Sequence, residues 1–169
     1  MSVTLVLGGA RSGKSALAER LTRAGGADPV YVATAGAWDD EMRARIAAHQ
    51  ADRAGQGWHT IEAPIDLPAA LAAAGAAPVL VDCLTLWLTN LMLGDHPILP
   101  ATDRLVAALD RPGPTVLVAN EVGLGIVPEN ALARRFRDEA GRLNQRIAAR
   151  ADTVVFIAAG LPLVLKGQI

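Results

Sequence analysis

The sequence predicts one α/β domain spanning residues 1–169, a mostly parallel central sheet with helices on both faces. Three observations lead to that fold. Short runs rich in β-branched and aliphatic residues at 3–7, 79–81, 116–119 and 153–159 have the composition of strands covered on both sides. Segments of helical length separate these runs, and crossovers of that kind join parallel strands. A glycine-rich stretch leads from the first run directly into the first helix, and a length of 169 residues suits a single core.

In chain order, residues 3–7 form a strand that meets Gly8 and Gly9, and residues 15–24 form a helix with Leu17 and Leu21 on one side. Residues 30–33 are a second strand. Asp39 and Asp40 are placed to cap a helix reaching Arg53, with acidic residues at its positive end and Gly55 and Gly57 beyond its other end. Residues 58–61 are a weaker strand, followed by an alanine-rich helix at 67–74 and a strand at 79–81 that ends on Asp82. Residues 84–93 read as helix, 94–100 as a loop with two prolines, and 102–109 as a short helix. The strand at 116–119 opens into Asn120, Glu121 and a glycine-containing loop through Pro128. Asn130 caps the longest helix, 131–150, whose Leu132, Phe136, Leu143 and Ile147 form an apolar stripe. Residues 153–159 supply the last strong strand, and 163–165 an edge strand.

Composition narrows the function. Sixteen basic and seventeen acidic residues leave a net charge of −1, so no whole-molecule field attracts nucleic acid or an anionic membrane. With 51% hydrophobic residues the chain needs neither disulfides nor a structural metal, and the lone Cys83 cannot form an internal bridge. The longest apolar stretch, 154–165, falls short of the ~20 residues that span a bilayer and contains Gly160 and Pro162. The amino terminus shows no secretory pattern, so a cytoplasmic protein is expected. Fourteen of the sixteen basic residues are arginine, which singles out Lys14 and Lys166.

Lys14 belongs to the strongest motif in the chain. Gly8, Gly9, Ala10, Arg11, Ser12, Gly13, Lys14 and Ser15 fit G-x-x-x-x-G-K-[ST] between a strand and a helix, the context that a phosphate-binding loop requires. Its backbone N–H groups and helix N-terminus surround phosphate oxygens, Lys14 reaches the β and γ phosphates, and Ser15 offers a hydroxyl to Mg²⁺. The expected fold is therefore P-loop NTPase-like, of the RecA-like kind. Asp82, at a strand end, is either a carboxylate that holds a Mg²⁺-bound water or an ordinary cap for the helix that follows.

The loop alone names no reaction. A guanine-reading N-K-x-D element is excluded, because the two lysines stand at 14 and 166. His49 shares a helical face with Met42, Ile46 and Arg53, the pattern of a partly buried core histidine; a neutral imidazole is also a nucleophile able to carry a phosphoryl or nucleotidyl group. His59, on a strand, and His96, before Pro97, lack metal-ligand spacing. Arg142, Arg146 and Arg150 recur every four residues, as a solvated face interleaved with Asp138 and Glu139 or as a substrate clamp.

Several segments resemble one family across nearly the whole chain: GGARSGKS at 8–15, VYVATA at 30–35, DDEMRARIAAHQADR at 39–53, NEVGLGIVPEN at 120–130 and RRFRDEAGRLNQRIA at 134–148. The last two are highly specific. They are similar to the bifunctional adenosylcobinamide kinase and adenosylcobinamide-phosphate guanylyltransferases of cobalamin biosynthesis. The resemblance implies two reactions at one nucleotide site: phosphorylation of adenosylcobinamide by ATP or GTP, then transfer of GMP from GTP to the new phosphate. It implies a guanylylated histidine at His49, with Lys14 as the other catalytic residue. It also implies GTP contacts from residues 8–15, from Ala33, Thr34 and Ala35, from Gln50, Ala51, Asp52 and Arg53, and from Glu62 and Asp82. Asp82 stands where the family also has glutamate. Mg²⁺ held by Ser15 and Asp82, and a homotrimer, complete these expectations. Two other readings remain open from the residues themselves: a simple small-alcohol kinase with His49 structural, and a non-enzymatic nucleotide-binding regulator.

Overall fold

The computed structural model describes residues 2–36, 55 and 57–169. The helix expected at 39–53, and with it His49, lies outside them. The described elements are β1 (Val3–Gly8), α1 (Lys14–Ala24), β2 (Val30–Ala33), β3 (His59–Glu62), α2 (Leu67–Ala73), β4 (Val79–Asp82), α3 (Leu84–Leu93), α4 (Ile98–Ala108), β5 (Thr115–Asn120), α5 (Ala131–Arg150), β6 (Thr153–Ala158) and β7 (Leu161–Lys166). Seven strands form one sheet in the order β3-β2-β4-β5-β1-β6-β7. Every pairing is parallel except that of β6 with β7.

The aliphatic runs are central strands because both of their faces are covered. On one side Leu5, Val32, Val81 and Leu117 pack with Leu67, Leu88, Leu105 and Ile147 of α2 to α5. On the other, Val6, Leu80 and Val118 pack with Leu17 and Ala18 of α1. The expectation of helices on both faces holds, with four of the five described helices on one side.

Three boundaries differ from the sequence reading. Helix α4 begins at Ile98, not at 102, because Pro100 falls in its first turn, where a missing N–H costs nothing. The edge strand β7 is twice the expected length. It pairs back on β6 through Ala159 and Gly160, whose φ values of 52° and 78° make the two-residue turn that the twist of a hairpin favours. The apolar stripe on α5 is buried at Ala140, Leu143 and Ile147, whereas Leu132 is 53% exposed and lines an open apolar groove with Met92 and Leu93.

The arginine row of α5 acts as a brace. Arg142 pairs with Glu139 at 2.7 Å, Arg146 with Asp103 of α4, and Arg150 with Asp110 beyond the end of α4. This is the solvated-face reading, and the substrate clamp is not needed to explain these residues.

At the end of the sheet opposite the glycine loop, Arg111 is buried (6% exposed). Its Nη2 donates to the carbonyls of Gly75 and Ala77, both at 2.7 Å, and its Nη1 to Pro114 O (3.2 Å) and Thr115 Oγ1 (3.1 Å). Burial lowers the pKa of this guanidinium. One planar fork thus ties the turn after α2 to the entry of β5. Arg111→Leu should leave these acceptors unpaired and cost about 3 kcal/mol. The expected outcome is a drop in melting temperature of roughly 6–12 °C by calorimetry, with nucleotide affinity unchanged.

Candidate active site

The glycine loop holds its shape through backbone packed too closely for side chains. A Cβ on Gly8 would fall 2.5 Å from Ser12 Oγ and 2.8 Å from Ile157 O. Gly13 has φ 98°, and a Cβ there would lie 3.2 Å from Gly160 Cα. The turn between β6 and β7 is therefore seated on the loop, and Gly160 N–H donates to Ser12 O at 2.8 Å. Glu121 N–H donates to Gly8 O at 3.0 Å from the other side.

The chemistry follows from what this packing leaves free. Gly13 caps α1 without a side-chain hydrogen bond, and no acidic residue stands in the first turn, so the helix presents uncapped N–H groups and its positive dipole end. Lys14 is buried to 9% exposure, and its ammonium lies over the loop, donating to Gly9 O at 2.9 Å. Ser12 Oγ is buried with no hydrogen-bond partner among the described residues. Ser15 is exposed at the start of α1. Backbone donors, a lysine and a spare hydroxyl gathered in one loop make an anion cradle suited to phosphate.

Strand register brings the other predicted residues to the same edge. Ala33 of β2 sits opposite Glu62 of β3 and opposite Asp82 of β4, and all three end their strands on the carboxyl side of the sheet, where Gly8 ends β1. Such an edge is where ligands bind in open α/β sheets. Asp82 is half-buried, and Tyr31 Oη donates to its Oδ2 at 3.0 Å. Cys83 caps α3 without a side-chain bond, so Asp82 is not the helix cap that one sequence reading allowed.

Thr34 is wholly buried, and its polar atoms are engaged within the fold. Its N–H donates to Asp82 O (3.2 Å), its hydroxyl donates to Cys83 O and accepts from Cys83 N–H (both 2.7 Å), and its carbonyl accepts from Asn90 Nδ2 (2.7 Å). It braces the segment that Ala33 and Ala35 flank. Gln50, Ala51, Asp52 and Arg53, like His49, fall outside the described residues. His59 begins β3 at the opposite end of the sheet, and His96 lies in the turn before α4, so neither joins the cradle. Burial, then the charge of Asp82, pushes the Cys83 thiol pKa up, which disfavours the nucleophilic thiolate.

Sequence reasoning missed the residues that hold this edge in place. Trp87 Nε1 donates to Ile65 O (2.7 Å), Asn90 Nδ2 also donates to Pro64 O (2.9 Å), and Thr85 Oγ1 accepts from Asn120 N–H (2.7 Å). All three lie on α3, so one helix fixes the exits of β2, β3 and β5. A run of mixed polar and apolar positions in a helix carries no local sign of this. Beside α3, an apolar groove of about 380 Å³ is lined by Met92, Leu93, Leu132 and Phe136. The neighbouring loop exposes Leu124 (82%) and Ile126 (97%).

Among the described residues no three His, Cys, Asp or Glu side chains gather into a metal cage. The donors present, the Ser15 hydroxyl and the Asp82 carboxylate, instead fit Mg²⁺, a hard cation that takes few protein oxygens and fills its shell with phosphate and water.

Comparison with known proteins agrees with this geometry. A family model described as cobinamide kinase / cobinamide phosphate guanyltransferase matches residues 4–165. The bifunctional adenosylcobalamin biosynthesis protein CobP of Pseudomonas aeruginosa is 52% identical, covering 97% of each chain. The bifunctional adenosylcobalamin biosynthesis protein CobU of Salmonella typhimurium is 44% identical, covering 96% of this chain and 98% of its own. Among solved structures, the P4 protein from bacteriophage phi6 in complex with ADP matches with a TM-score of 0.53 at 18% identity. That match covers 99% of this chain and 58% of the phage protein, and it shows the fold alone. The fold is the P-loop NTPase-like sheet that the glycine motif predicted. From the family match and the extent of these alignments, the chain belongs to the cobinamide kinase / cobinamide phosphate guanyltransferase family.

Proposed function

We propose that the protein phosphorylates adenosylcobinamide with ATP or GTP and then guanylylates the product, using one triphosphate site for both reactions. The observation that carries this reading is the cradle at Gly8–Ser15, with its uncapped helix and buried Lys14, in a chain of a family that couples these two activities.

In the first step the aminopropanol hydroxyl of the corrinoid attacks the γ-phosphorus and the bond to the β-bridging oxygen breaks. The nucleoside diphosphate leaves, and the hydroxyl proton passes to solvent. Lys14 and the α1 N–H groups neutralise charge on the transferring group and the leaving diphosphate. In the second step a neutral ring nitrogen of His49 attacks the α-phosphorus of GTP and pyrophosphate leaves. A phosphate oxygen of adenosylcobinamide phosphate then displaces the imidazole, which releases adenosylcobinamide-GDP and restores His49. Mg²⁺, when bound through Ser15 and Asp82, supplies charge neutralisation on the phosphate oxygens.

Ala33, Ala35 and Glu62 complete the nucleotide contacts from the sheet edge, and Gln50, Ala51, Asp52 and Arg53 from the segment that carries His49. The apolar groove beside α3 suits the hydrophobic part of a corrinoid, with a trimer closing the remainder of that crevice. Net charge gives no support for a nucleic-acid partner, and no helix among the described residues is long and apolar enough to cross a membrane.

GTP labelled at its α-phosphate tests the covalent step. An acid-labile, base-stable label on His49 is expected; a simple kinase would give none. His49→Ala should reduce guanylyl transfer to background while sparing most of the phosphorylation, and equal loss of both would point to a structural histidine. Lys14→Ala should slow both steps by roughly 10²- to 10³-fold in turnover assays. A variant that kept either step near normal would contradict a shared site.

A further inference from the structure

We infer that Tyr31 is the positioning residue for the Asp82 carboxylate, setting which of its oxygens faces a metal-bound water. The inference rests on the proposed role of Asp82 toward a magnesium nucleotide and adds a residue to which neither the motif nor the resemblance gave a role.

Tyr31 is the second residue of β2, directly opposite Leu80 of β4, so its side chain projects on the α1 face, as do those of Leu80 and Asp82. It is buried to 6% exposure, and its hydroxyl donates to Asp82 Oδ2 at 3.0 Å. The ring cannot swing freely. Trp58 meets it edge-on, with centroids 6.1 Å apart and planes at 85°, and Trp58 is itself covered by the Arg23 guanidinium at 4.8 Å.

The backbone of Asp82 is fixed independently. The sheet ladder holds it between Ala33 and Val118, and Thr34 N–H donates to its carbonyl. That grip does not determine the rotation of a carboxylate about its own side-chain bonds. The phenol does, because a hydrogen bond from a locked donor to Oδ2 leaves Oδ1 to accept from a water on the cation. A carboxylate free to rotate would satisfy that geometry only part of the time, and metal-assisted binding would weaken accordingly.

The test measures binding of β,γ-imido-GTP by calorimetry, in a Mg²⁺ series and in EDTA, for the wild type, Tyr31→Phe, Asp82→Asn and the double variant. Phenylalanine keeps the ring and its contact with Trp58, and binding in EDTA reports that the cradle is folded. Tyr31→Phe should weaken Mg²⁺-supported binding about five- to tenfold, the net scale of one ordinary hydrogen bond, and leave binding in EDTA unchanged. Added to Asp82→Asn it should have no further effect, since the group it orients is gone. Equal weakening with and without Mg²⁺, or full additivity in the double variant, would show a merely structural tyrosine and overturn the inference. So would an unaltered Mg²⁺ dependence in Tyr31→Phe when Asp82→Asn loses it, and that result leaves the role of Asp82 intact. If Asp82→Asn itself keeps the wild-type Mg²⁺ dependence, both the role of Asp82 and the inference fall.

Discussion

The site depends on how closely the loop after β1 is packed against its surroundings. Gly8 and Gly13 stand where any Cβ would meet Ser12, Ile157 or Gly160, and Gly160 N–H is hydrogen-bonded to Ser12 O. Because the loop is held by close backbone packing and by the Lys14 bond to Gly9 O, with no side chain capping α1, the N–H groups at the start of α1 are uncommitted. Donors fixed in advance need no reorganisation when charge develops on a phosphoryl group, which makes such a cradle useful to catalysis as well as to binding. The β6–β7 hairpin, whose sequence looks like an ordinary apolar terminus, is one wall of that cradle.

The second support is α3. Through Thr85, Trp87 and Asn90 it engages the exits of β5, β3 and β2, so the loops that carry the nucleotide-facing edge share one rigid strut. Thr34 extends the strut to β4 by bonding both polar groups of the Cys83 backbone. The buried polar side chains of this region are satisfied against backbone groups of the site's loops. That arrangement converts core packing into site geometry.

Much of this was legible because it is local. An aliphatic run that must be covered on both faces reads as a strand without knowledge of its neighbours, and G-x-x-x-x-G-K-S between strand and helix carries its own mechanism. The family resemblance rested on contiguous segments such as NEVGLGIVPEN and RRFRDEAGRLNQRIA, which need no fold to be seen. Other features were misread for want of context. Pro100 looks like a helix breaker until its place in the first turn of α4 is known. Leu132 continues an apolar stripe, yet it is exposed at the mouth of an apolar groove beside α3. Arg146 and Arg150 form a row with two possible meanings until Asp103 and Asp110 are found beside them.

The sequence by itself determined the strands, the helix periods, the phosphate loop and the family, since each is written in residues close together along the chain. Only the tertiary structure decided that Ala33, Glu62 and Asp82 share one edge, that Tyr31 reaches Asp82, and that Gly160 seats on Gly13. The physical reason is strand order. β2, β3 and β4 are separated in sequence by other segments, and hydrogen-bonded register alone determines which of their residues stand side by side.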